Sequence, residues 1–131
     1  LLELPAAPEE PYLTESAGQL GLRLWLEALG DAGAALEISS SWKNDRYALM
    51  PDGESSTAVI WDVELESSPE ADRFQAAALA YISARAGRET QAVAGTGVTT
   101  TDERHLRVSR PAPLRVRFLN TATAELMRKF D

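Results

Sequence analysis

The sequence predicts an α+β fold, a two-layer domain whose antiparallel sheet carries helices packed on one face. Three observations predict it. From Thr57 to Glu66 the residues alternate: Val59, Trp61, Val63 and Leu65 share one face, and Asp62, Glu64 and Glu66 share the other. That is the pattern of a one-sided strand. A Pro51-Asp52-Gly53 turn joins it to a strand over Tyr47 to Met50, and so short a connection makes the pair antiparallel. Ser68-Pro69-Glu70 then opens a helix in which Phe74, Ala78, Tyr81 and Ile82 form an apolar stripe, with Ser68 as its cap and Pro69 in the first turn. On this reading Trp61 and Val63 are buried, and Asp62 and Glu64 are exposed.

The other elements follow in order. The first residues carry Pro5, Pro8 and Pro11 and no periodicity, so residues 1–13 read as an extended tail or linker and 14–131 as a single domain. Thr14 or Ser16 can cap a first helix, whose Leu22, Trp25, Leu26 and Leu29 fall on one face. Gly30 stops that helix, and Asp31 can cap a short second one reaching about Ser39. Gly87 ends the third helix. Thr90 to Thr101 reads as a strand and a loose turn. Leu106 to Arg110 and Leu114 to Leu119 form a second hairpin around Pro111-Ala112-Pro113. A closing helix spans Thr121 to Phe130, with Leu126, Met127 and Phe130 on its apolar side.

Composition narrows function mainly by exclusion. The chain has 131 residues, 44% of them hydrophobic and 25% charged, which suits one globular domain. It has no cysteine, which removes disulfides, thiolate metal sites and cysteine nucleophiles. The net charge of −7 opposes nucleic-acid binding, which rests on neutralising phosphates. No apolar run is long enough to span a membrane. The chain begins with leucine and shows no signal peptide, so it reads as a fragment or a processed product of a larger protein.

Charge is unevenly distributed. From Arg104 onward there are seven basic and two acidic residues, a net +5, which leaves −12 for the residues before. Arg107, Arg115 and Arg117 are therefore the candidates for binding an anion. They alternate with Leu106, Val108, Val116 and Phe118, which points them to the outer face of the sheet. If their hairpin joins the strand of Trp61, they form an ion ladder with Asp62, Glu64 and Glu66 instead.

Catalytic and cofactor chemistry finds no foothold. His105 is the lone histidine, and Arg104 and Arg107 beside it oppose an imidazolium, so no catalytic triad is assigned. A zinc site needs three or four His, Cys or carboxylate ligands, and one histidine with no cysteine argues against one. Asp62, Glu64 and Glu66 sit too far apart along a strand for a compact calcium or magnesium cage. Gly95-Thr96-Gly97 lacks the rest of a phosphate-binding loop. Trp25, Trp42 and Trp61 suit packing better than sugar stacking. No catalytic residue, metal or cofactor is expected. The alternative is a small hydrolase or ligand-binding enzyme that uses carboxylates around the first hairpin.

A resemblance adds a setting. Leu20-Gly21-Leu22-Arg23-Leu24-Trp25-Leu26, the Ala34-Ala35 helix, Trp42-x-x-Asp45-Arg46-Tyr47, Val59-Ile60-Trp61 and Glu70-Ala71-Asp72-x-Phe74 together resemble the C-terminal accessory region of exported prokaryotic zinc-peptidase-like proteins of unknown function. In those proteins a His-Glu-x-x-His domain comes first. The resemblance covers about residues 20–80 and carries no catalytic residue into this chain. It implies a non-catalytic accessory or interaction domain in an exported or periplasmic bacterial protein, with an upstream domain of the same polypeptide as a possible partner.

Overall fold

The computed structural model describes residues 2–30, 32–86, 92–93, 96–100 and 104–130. The expected cap at Asp31, the stop at Gly87 and the glycine turn at Gly95 lie outside the described residues. The elements are β1 (Leu13–Glu15), α1 (Gly18–Ala28), α2 (Ala32–Ser40), β2 (Trp42–Asp52), β3 (Ser56–Leu65), α3 (Ser68–Ala86), β4 (Ala92–Val93), β5 (Thr96–Thr100), β6 (His105–Ala112), β7 (Arg115–Thr121) and α4 (Ala124–Arg128). The strands form one sheet in the order β1-β2-β3-β7-β6-β5-β4. Every pairing is antiparallel, so the fold is the α+β architecture that the sequence predicts.

The two hairpins meet at the centre of the sheet. β3 pairs β7 with Trp61 opposite Phe118, Asp62 opposite Arg117 and Glu64 opposite Arg115. Because side chains alternate along a strand, this register sends the aromatic residues to one face and the charged ones to the other. α1, α2 and α3 cover the aromatic face. Leu22, Leu26, Ile38, Phe74, Ala78 and Ile82 pack there on Trp61, Val63, Leu65, Leu106, Val108, Val116 and Phe118. Trp25 stands at the middle, with ring centroids 5.4 Å from Trp61, 5.4 Å from Tyr81 and 5.9 Å from both Phe74 and Phe118. Edge-to-face and tilted rings suit the quadrupoles of such a cluster. Trp61 and Val63 are buried, as strand alternation predicts.

The opposite face is covered as well, and here the sequence reading needs correction. The five-residue α4 and the first residues of the chain pack on Ala48, Met50, Ala58, Ile60 and Leu119 through Leu126, Met127, Phe130, Leu4 and Ala7. Leu2 is buried too. Residues 2–7 form no helix or strand, and they are docked on the sheet. Asp62, expected to be exposed, has an exposure of 0%, and Glu64 is half-buried. Alternation places both on the right face, but periodicity cannot say that this face has its own cover.

Two further differences are local. β2 runs the length of Trp42–Asp52 rather than starting at Tyr47, with a register shift between Trp42 and Asn44. The cap of α3 is Ser67 rather than Ser68: its Oγ accepts from the Glu70 N–H at 3.4 Å. Gly53 takes φ +75° in the β2–β3 turn, a left-handed conformation that glycine adopts without a Cβ penalty.

Candidate functional site

The densest polar site gathers around Asp45, on the helix-bearing side of β2. Five donors converge on its carboxylate. Oδ1 accepts from the Ser16 hydroxyl at 2.8 Å, the Gly18 N–H at 2.8 Å and Trp42 Nε1 at 2.9 Å. Oδ2 accepts from the Ala17 N–H at 2.8 Å and Trp61 Nε1 at 3.0 Å. All five are neutral groups. The backbone explains how two successive N–H groups reach one carboxylate. Ala17 is right-handed at φ −75°, ψ −29°, and Gly18 has φ +76°. This alternation turns consecutive N–H groups into a concave anion nest. The nest sits at the N-terminus of α1, where the helix dipole also favours negative charge.

Neither Thr14 nor Ser16 caps α1 in the expected way. Thr14 lies in β1 opposite Ala48, Ser16 serves Asp45, and the N-cap Ala17 has no side-chain bond of its own. The carboxylate of Asp45, 28 residues beyond Ala17, does the capping. Burial raises the pKa of Asp45, but the bonds from Trp61, Ala17, Ser16 and Gly18 outweigh it, and the carboxyl is held below its ordinary value.

Two more aspartates are buried with assigned tasks. Asp52, at the end of β2, accepts from the Ala122 N–H, from the Thr123 N–H at 3.3 Å and from the Thr123 hydroxyl at 2.6 Å. Thr123 in turn caps α4, its Oγ1 accepting from the Leu126 N–H at 3.2 Å. Asp62 accepts from Arg117 through two bonds, Nε at 2.7 Å and Nη2 at 2.9 Å, the bidentate geometry that suits arginine and a carboxylate.

The three candidate arginines fall together on the face away from α1–α3. Arg117 is held by Asp62. Arg115 lies 3.8 Å from Glu64, whose other oxygen is 3.7 Å from Lys43, while its Nε is buried without a partner among the described residues. Arg107 is buried. Its Nη2 donates to the Phe130 carbonyl at 2.7 Å and its Nη1 to the Met127 carbonyl at 3.5 Å. It thus sits on the carbonyl end of α4, where a cation is favoured. Burial and the neighbouring Arg117 lower its pKa, and it remains a cation, as arginine does. The expected ladder therefore exists for Asp62 and Glu64. Arg107 takes backbone carbonyls instead. His105 begins β6 opposite Thr121. Among the described residues, no group of three or more His, Asp or Glu could hold a metal, and no helix is long and apolar enough to cross a membrane.

Exposed apolar residues gather on α1 and α2. Leu20 and Leu24 on the outer side of α1 are 66% and 56% exposed, and Leu36 on α2 is 50% exposed. Leu20 and Leu36 share a shallow groove of about 350 Å³ with Gln19, Arg23 and Ser39.

The fold and the site define a class: an α+β domain with an open antiparallel sheet, organised by buried aspartates that bind helix ends and arginine. The chain belongs to the DUF8575 family, a domain of unknown function, whose model matches residues 10–130. No curated protein and no solved structure matches the chain. The family's description makes no mention of zinc peptidases.

Proposed function

We propose that this chain is a non-catalytic accessory or interaction domain that meets its partner through the leucine face of α1 and α2. The exposure of Leu20 and Leu36 at one groove, and of Leu24 one turn along α1, carries this reading, since grouped exposed apolar residues on a folded domain mark contact surfaces. A second consideration supports it. Three carboxylates around the first hairpin, Asp45, Asp52 and Asp62, are committed to Ala17 and Gly18, to Thr123 and to Arg117. The exported setting and an upstream domain as partner rest on the resemblance of residues 20–80 alone.

Hydrogen exchange tests the reading. Amide exchange over α1 and α2 is measured in this chain alone and in the natural polypeptide that contains it. Slower exchange there in the longer polypeptide, lost in a Leu20→Glu/Leu24→Glu variant whose isolated domain unfolds like the parent, supports the proposal. Equal exchange in both contexts rejects the upstream domain as the partner.

A further inference from the structure

Between the docked N-terminal segment and the sheet lies a cavity of about 440 Å³, within the roughly 300–1,000 Å³ typical of small-molecule sites. Its walls mix aliphatic and polar groups, with Leu2 and Leu4 from the N-terminal segment, Ala48, Met50 and Ile60 from the sheet, and Glu3, Thr14 and Arg46 beside them. Among the described residues, no aromatic ring lines it. Arg46 is the one cation among its described lining residues. The side chain is half-buried, and it makes no hydrogen bond or ion pair with any described residue. The carboxylate opposite it in the register is Asp62, which pairs with Arg117 through both oxygens and not with Arg46. Arg46 thus stands as a forked cation at the cavity wall, bonded to none of the described residues.

We propose that this cavity binds a small anionic amphiphile, a single carboxylate on an unbranched aliphatic chain. The carboxylate pairs with the Arg46 guanidinium, which matches it in two parallel bonds. The chain lies against Ile60, Met50 and Leu4 and loses water on both sides. Met50 gives the wall some adaptability to chain length. One negative charge is favoured over two, because Asp62 stands opposite Arg46 and Glu3 also lines the cavity. This site is separate from the leucine face of α1 and α2, and its failure would leave that proposal standing.

Calorimetry with decanoate below its micelle concentration tests the inference, with decan-1-ol as the uncharged match. Decanoate is expected to bind one saturable site, and decanol about tenfold more weakly, the loss expected for one charge-assisted contact. Arg46→Gln lowers decanoate affinity about tenfold and leaves decanol unchanged, because only the charged contact is removed. Decanoate shifts the methyl resonances of Leu4, Met50 and Ile60. Absence of saturable binding, equal affinity for acid and alcohol, or shifts confined to other residues overturns the proposal. Should Arg46→Gln fail to fold, the acid–alcohol comparison on the natural chain decides alone.

Discussion

The two faces of the sheet each bury an aspartate at adjoining strands, and they neutralise it by different means. On the face beneath α1–α3, Asp45 is held by five neutral donors drawn from α1, β2, β3 and Ser16. On the other face, Asp62 is held by one arginine. The first arrangement ties several elements to one point, because its donors come from three parts of the chain. The second ties two neighbouring strands that the backbone ladder already joins. The carboxylate with no cation is therefore the greater organiser of the fold, although an ion pair looks stronger by charge alone. Two charges withdrawn from water lose solvation that their attraction only roughly restores.

The largest expected effect is at Asp45. Asp45→Ala strands two indole N–H groups and the first amides of α1, and loss of a fully satisfied buried carboxylate costs about 3–5 kcal/mol. Urea unfolding followed by tryptophan fluorescence reads it, since Trp42 and Trp61 are both donors to the group. At Asp62 the comparison can be broken. Asp62→Ala alone leaves Arg117 without its partner and costs about 2–4 kcal/mol, whereas the double change Asp62→Leu/Arg117→Met comes back to within about 1 kcal/mol of the parent. A double change as damaging as Asp45→Ala would erase the distinction between the faces.

Smaller effects sharpen the same contrast. Gly18→Ala meets no atom within 4 Å, so its cost is that of φ +76° alone, about 1–2 kcal/mol. Thermal unfolding should show that loss with no change in the ion-paired face. Glu64→Gln removes the long contacts to Lys43 and Arg115, both partly exposed, and shifts stability by about 0.2–1 kcal/mol. That small loss should shrink further in high salt.

Much of this architecture was legible because its signals are local. The alternation from Val59 to Leu65 places Trp61 and Val63 in the core. The parity of Arg115 and Arg117 places them opposite Glu64 and Asp62. What escaped detection depends on distant partners. Lys43-Asn44-Asp45-Arg46 is too polar to read as a strand, yet it lies in β2, with Asp45 turned to the nest at Ala17 and Gly18 and Arg46 turned to the cavity. The docking of Leu2 and Leu4 leaves no periodicity to detect. It also explains why parity alone misjudged the exposure of this face. Ser16-Ala17-Gly18 was the one signal that could have revealed the Asp45 site, a small-residue run before a helix with glycine able to reverse the sign of φ.

The role of Asp45 as the organising group is tested most directly by the pH dependence of stability. Its carboxyl is held below the ordinary value in the folded state. Its contribution is therefore complete above the unfolded pKa of about 3.9 and is lost as pH falls through the folded value. Urea unfolding of the parent and of Asp45→Asn should differ most near neutral pH, with the parent more stable. The gap should narrow below about pH 4, as protonation removes from the parent the charge that the variant already lacks. Equal stability of the two proteins at neutral pH, or a gap that persists unchanged into acid, would contradict the account.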